Sequence, residues 1–194
     1  YSHITLLLAS PFIIAWALSP TIVWWLSLPL VSGKANLNEK QKLSLRKLSR
    51  KTWAFFENFV GPEDNWLPPD NFQQHPITIL AHRTSPTNIG LALISNLAAH
   101  DFGYITTDEL NERLENTFAT LHKLERYNGH FYNWYDTVSL QPLYPRYISV
   151  VDSGNLAAHL ITLKQGLFNL PHSPILSYKN FWGTYDSLQI VCEY

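Results

Sequence analysis

The chain has 194 residues, 46% of them apolar, with 14 Lys and Arg against 15 Asp and Glu for a formal net charge of −1. That length and apolar content supply one globular core with an appendage, and the near-neutral charge, with no basic stripe interleaved with aromatics, argues against a nucleic-acid partner. The single cysteine, Cys192, excludes an internal disulfide framework, and the scattered His residues form no HxxxH pattern, so no metal site is expected.

The sequence opens on Tyr1, contains no Met, and reads as an excerpt of a longer polypeptide. From Ile4 to Leu30 it carries no charged side chain, which meets the length of about 20 apolar residues needed to cross a bilayer. Pro11, Pro20 and Pro29 interrupt the run, so either two broken halves or one kinked span is expected. Trp16, Trp24 and Trp25 suit a membrane interface; a buried helix of a soluble protein is the alternative. Residues 1–33 are therefore read as a membrane-spanning segment. Charge then switches: Lys34, Lys40, Lys42, Arg46, Lys47, Arg50 and Lys51 face only Glu39. Basic residues clustered after a span mark its cytoplasmic side, which places everything after Gly33 there.

Four helices follow in residues 34–194. The first is expected from Asn38 to Phe59, with an apolar stripe through Leu45, Leu48, Trp53, Phe56 and Phe59 and a stop at Gly61-Pro62. The second opens at Ser85 with Pro86 in its first turn and runs to His100. The third starts with a capping box, Thr106 and Glu109, and reaches Leu124. The fourth follows Asp152-Ser153 and ends at Gly166. Helices one and three are amphipathic, whereas two and four are rich in small residues and nearly uncharged. Outer and inner layers of an all-α toroid of helical hairpins alternate in this way, the inner helices being enclosed on all sides. The long connections Val60 to Thr84 and Glu125 to Asp152 then fall at one rim, bringing DNWLPPDNFQ, HRTSPTN and GHFYNWYD around one opening.

Such a mixture of rings, amides, His and Asp suits a sugar, whose flat C–H faces stack on aromatics while its hydroxyls need convergent polar partners. Trp66, Phe72, Trp134 and Tyr135 are candidate stacking platforms, or rings that pack loops onto helices. Arg83 offers its planar fork to hydroxyls, or pairs with Asp64 or Asp70 to hold its loop. Asn88 and Asn155 stand in the first turns of the inner helices, as hydroxyl partners or caps. His130 contacts ligand or a loop carbonyl, Asn133 and Asp70 belong to the same binding set, and His159 is read as a core group. Glycosidic acid–base chemistry needs two carboxyl groups about 5–9.5 Å apart. Asp136 and Asp152 are the best-placed candidates, with Glu125 and Asp70 behind them; Asp136 is read as a binder, Asp152 also as an N-cap, and no convincing pair is formed. No phosphate loop and no acyl-transfer nucleophile pattern is present.

The strings TWAFFENFVGPEDNWLPPDNFQ, AHRTSPTNIGLALIS, AAHDFGYITTDELNERLENTFATLHKLERYNGHFYNWYDT and YISVVDSGNLAAHLITLKQGL resemble the central region of bacterial cyclic β-1,2-glucan synthases of the NdvB and ChvB type. The resemblance implies an inner-membrane chain with a glycosyltransferase part using UDP-glucose, a central glucoamylase-like (α/α)6 toroid that closes the β-1,2-glucan ring by transglycosylation, and a phosphorylase-like part. It implies a substrate-binding role for HRTSPTN, GHFYNWYD and DSGN, with β-1,2-glucan, the membrane and the neighbouring domains as partners and no cofactor in this segment. The alternatives are a non-catalytic glycan-binding module and an endo-β-1,2-glucanase-like hydrolase.

Overall fold

The computed structural model describes residues 3–28, 36–168, 170–172 and 178–192. The chain divides into two compact units, Tyr1–Asn38 and Glu39–Tyr194. The first is built on α1 (His3–Leu26), a single helix that contains both Pro11 and Pro20. It continues through them because each proline is preceded by a serine. Pro11 removes the donor that would reach the Leu7 carbonyl, and the Ser10 hydroxyl donates there instead at 2.9 Å; Ser19 does the same for Trp16 ahead of Pro20, also at 2.9 Å. Over His3–Leu26 the segment is a single helix rather than two halves, and Pro29 lies outside the described residues. Leu7–Leu26, with a mean hydropathy of 1.7, is long and apolar enough to cross a membrane.

The second unit is helical with short ribbons between its helices. After α2 (Glu39–Phe59) and a 3₁₀ turn (Pro62–Asp64) come α3 (Pro86–Phe102), α4 (Thr107–Lys123), α5 (Val150–Leu167), a second 3₁₀ turn (Leu170–His172) and α6 (Tyr178–Val191). The expected start signals act where they stand. The Ser85 hydroxyl accepts the Asn88 N–H at 3.2 Å with Pro86 in the first turn, and Thr106 and Glu109 complete a capping box. Gly103 takes the left-handed conformation (φ 78°) that ends α3, so that the chain turns directly into α4.

Apolar faces assemble these helices around one core, in which Trp53, Leu67, Ile89, Leu93, Leu110, Leu114, Leu121, Leu156 and Leu163 are buried. α3 and α5 lie side by side and run in the same direction: Thr87 meets Asp152 and Asn155 at their starts, Gly90 lies against His159, and Leu97 against Gly166. Small residues let them approach so closely, since a Cβ at Gly90 would collide with the His159 ring. His159 is thus half-buried at this contact, and its Nδ1 has no hydrogen-bond partner among the described residues, unlike the satisfied core group expected. α2 and α4 pack against α3 with charged faces outward.

Three features depart from the sequence reading. α5 is not enclosed: it buries Leu156 and Leu163, but Val150 (84% exposed) and Ile161 (70%) face away from α3, where no helix packs among the described residues. α6 was not anticipated. It docks through the buried Asp186, whose carboxylate binds Arg46 (2.7 Å) and accepts from Tyr104 (3.1 Å), and through Gly183 packed against the Gly103 backbone. Finally, the long connections carry antiparallel pairs: β1 (Phe72–Gln73) with β2 (Ile79–Leu80), β3 (Arg83–Thr84) with β6 (Tyr135–Asp136), and β4 (Arg126–Tyr127) with β5 (His130–Phe131). The β3–β6 pair ties one long connection to the other.

A polar rim around Trp134

The pairing of Arg83 with Asp136 and of Thr84 with Tyr135 fixes the two long connections at the starts of α3 and α5. Asp64 reinforces it from below. Its carboxylate, buried by the 3₁₀ turn, faces His82 Nδ1 at 2.8 Å and accepts the Thr137 hydroxyl, so one buried acceptor holds the residues flanking both strands. The frame is completed by Tyr135, which is fully buried; its hydroxyl donates to the Glu125 carbonyl (2.7 Å) and accepts the Tyr132 N–H (2.7 Å). Burial pushes that hydroxyl up to about 12. Tyr135 therefore anchors its loop and offers no free face for stacking.

On this frame a continuous set of polar contacts runs across the rim. Asp70 accepts from Arg83 Nη2 at 2.9 Å and Nε at 3.1 Å, and from the Asn88 amide at 3.3 Å. The Arg83 guanidinium in turn lies over the Trp134 ring, 5.2 Å from its centroid. With the Asn133 amide turned so that both of its ends are satisfied, its oxygen accepts the Trp134 indole N–H at 2.7 Å and the Tyr147 hydroxyl at 2.6 Å. Its nitrogen donates to Asp152 Oδ2 at 2.9 Å. Asp152 Oδ1 accepts the Thr87 hydroxyl at 2.6 Å, and Thr87 accepts from the Asn155 amide at 3.1 Å. Of the expected site residues, Asp70, Arg83, Asn88, Asn133, Trp134, Asp152 and Asn155 are thereby brought into one network, and Asp136 borders it through β6. Arg83 pairs with Asp70, one of its two expected partners.

Several roles are resolved by these contacts. Asn88 does not cap α3, because Ser85 does; its amide is turned to Asp70. Asp152 is not an N-cap either. Ser149 caps α5 by accepting the Asp152 N–H at 3.1 Å, which leaves the Asp152 carboxylate to the rim. Burial alone would raise that carboxyl, but the hydrogen bonds from Ser149 and Thr87 outweigh it and hold it below the ordinary carboxylate value. At Asp136 the backbone N–H of Ser139 (2.6 Å), aided by the Ser139 hydroxyl (2.9 Å) and the Val138 N–H (3.1 Å), has the same effect. Both carboxylates stay ionised at neutral pH, so neither is poised to donate a proton to a glycosidic oxygen.

His130, Trp66 and Phe72 lie outside the network. His130 stands exposed on β5 opposite Tyr127, next to the Asn128-Gly129 turn. Trp66 turns to the outer helices, where Arg113 of α4 lies 5.8 Å from its ring centroid. Phe72 packs on Phe59, centroids 4.7 Å apart. Thr87 and Tyr147, which tie the network together, had no sequence signal. Ser149 had one, the Ser-x-x-Asp spacing to Asp152. Among the described residues no three His, Cys, Asp or Glu side chains converge as a metal site.

The chain is similar to the cyclic beta-(1,2)-glucan synthase NdvB of Rhizobium meliloti, 48% identical over 154 residues, which make up 79% of this chain and 5% of that protein. No protein-family model matches the sequence. Among solved structures the fold resembles a glucoamylase-like protein from Bacteroides fragilis (TM-score 0.55, 17% identity, 81% of this chain and 37% of that one) and another from Bacteroides caccae (0.56, 17%, 77% and 36%). It also resembles an endo-beta-1,2-glucanase from Chitinophaga pinensis in complex with sophorotriose and glucose (0.52, 13%, 78% and 36%). These likenesses identify the second unit as part of a glucoamylase-like helical toroid.

Proposed function

We propose that this chain is part of a membrane-bound β-1,2-glucan-processing enzyme, and that its rim holds glucan during the transglycosylation that closes a ring. The observation that carries the reading is the Asp70–Arg83–Trp134–Asn133–Asp152 network, in which an aromatic ring is set among ordered polar side chains at the junction of two loops. The similarity to the glucan synthase and to a glucanase of the same fold supports the choice of β-1,2-glucan. Trp134, with its indole N–H engaged by Asn133, offers a ring face to a pyranose. Arg83, Asp70, Asn88 and Asn155 offer donors and acceptors to its hydroxyls. Asn133, Tyr135, Asp136 and Asp152 hold these groups in place, and His130 reaches glucan from the exposed hairpin. By fixing the acceptor end of a glucan beside its glycosyl-enzyme bond, the rim favours ring closure over hydrolysis.

The segment takes no cofactor in this reading; sugar-nucleotide chemistry belongs to another part of the longer chain. α1 anchors the enzyme in the inner membrane, with the basic start of α2 on the cytoplasmic side, and the neighbouring glycosyltransferase and phosphorylase-like parts are its partners.

Product analysis of the full-length enzyme tests this. Arg83→Ala with Trp134→Ala is expected to abolish cyclic products while elongation continues. Normal ring products with weaker glucan retention would mean a module that only tethers the chain, and linear oligosaccharides from the unaltered enzyme would mean a hydrolase.

A further inference from the structure

Trp66 is an expected stacking ring that the rim does not use, and its surroundings form a separate cavity. Asn65 and Trp66 both take left-handed backbone conformations (φ 52° and 60°), which bulky side chains rarely adopt. The conformation is held from α4: the Thr120 hydroxyl donates to the Asn65 carbonyl at 2.8 Å and the Thr117 hydroxyl to the Trp66 carbonyl at 3.1 Å. Its result is to swing the indole away from the rim onto the outer wall between α2 and α4.

There Trp66, Trp53, Arg113, Glu57, Glu109 and Glu112 line a cavity of about 250 Å³. Arg113 forms its centre. Its guanidinium lies between the rings of Trp53 (5.1 Å) and Trp66 (5.8 Å) and donates to the Val60 (3.1 Å) and Phe56 (3.1 Å) carbonyls at the end of α2. Trp53, 4% exposed, keeps an indole N–H with no acceptor among the described residues. Glu57 binds Arg50 (2.8 Å) and Glu109 closes the capping box of α4, so both carboxylates are held in place, and Glu112 stands exposed beside them.

We propose that this cavity is a second saccharide-binding site, on the outer wall of the toroid and separate from the rim. A half-buried indole and fixed carboxylate acceptors match a neutral, hydroxyl-rich ring. Three carboxylates against one guanidinium, with the Arg50 charge already engaged, disfavour an anionic ligand. The volume lies just below the range of about 300–1,000 Å³ for drug-sized ligands and suits a single sugar unit. The choice of glucan as its ligand rests on the function proposed above; the existence of the site does not.

The test is calorimetric titration of the full-length protein with a linear β-1,2-gluco-oligosaccharide, in the unaltered form and in Trp66→Ala, Glu112→Gln and Trp134→Ala variants. Two classes of site are expected. Trp66→Ala should remove the outer-wall class; Glu112→Gln, a substitution at an exposed position, should weaken it at least 5-fold; both should leave the rim class in place. Trp134→Ala should do the reverse. Binding unaffected by both Trp66→Ala and Glu112→Gln would overturn the outer-wall site while leaving the rim untouched. Binding that responds to these two but not to Trp134→Ala would uphold it and reject the rim.

Discussion

Asp136 and Asp152 each collect more donors than a carboxyl about to give up a proton would tolerate. A carboxyl whose folded pKa lies below its unfolded value stabilises the fold above that unfolded value, and the contribution disappears as pH falls through the folded one. For both groups the loss therefore begins below the ordinary value of 3.8. In Asp136→Asn the stability deficit relative to the unaltered protein should be full near neutral pH and shrink as pH drops toward about 2. Urea midpoints across that range measure it, and a deficit independent of pH would show that Asp136 does not act through its charge. The types of residue at the rim were legible in the sequence; their partners were less so. The sequence sets Arg83 near two carboxylates, Asp64 and Asp70, and the structure pairs it with Asp70. Asp152 carries a cap-type side chain, but Ser149 three residues earlier offers the same acceptor one turn sooner and takes the cap. Trp66 and Trp134 both stand on the long connections, but nothing in a sequence announces the positive φ that turns Trp66 away from Trp134.

The helices were legible because their signals are local: Ser85-Pro86 and the Thr106–Glu109 box each act within one turn, and the observed starts follow them. The ribbons were not. Arg83 and Asp136 pair across a long sequence separation, and two-residue strands carry no alternation to read. α6 also escaped, for it has Gly183 in its interior and owes its place to tertiary contacts, namely Asp186 with Arg46 and Tyr104. Burial and the neighbouring Asp186 charge push the Tyr104 hydroxyl well above its ordinary pKa, which keeps it a donor to that carboxylate. Between α3 and α5 the decisive feature is the glycine at the crossing. Gly90→Ala forces a methyl against the His159 ring and should cost about 1–3 kcal/mol. A denaturation midpoint unchanged in Gly90→Ala would show that the helices part easily there; a smaller cost in a His159→Ala background would identify the clash as its source.

The matched part of the chain spans 5% of the glucan synthase it resembles and 36–37% of the three solved structures whose fold it shares. The exposed side of α5 fits that proportion. Val150, Val151, Ile161 and Phe168 are all more than half exposed, and Phe118, Leu160, Leu163 and Leu167 line a groove of about 430 Å³ between α4 and α5. Isolated apolar surface of this kind drives association, so residues 39–194 alone are expected to self-associate at micromolar concentration in light scattering after size exclusion. A monodisperse monomer would mean that α5 is sufficiently covered as it stands. What remains at the level of the molecule is a junction of two loops that sets the Trp134 ring among ordered polar side chains, the feature on which the proposed glucan binding rests. Titration of the full-length Trp134→Ala protein with linear β-1,2-gluco-oligosaccharide tests that most directly: rim affinity should fall at least about 10-fold, or about 1.4 kcal/mol, and an unchanged affinity would mean that glucan does not bind there.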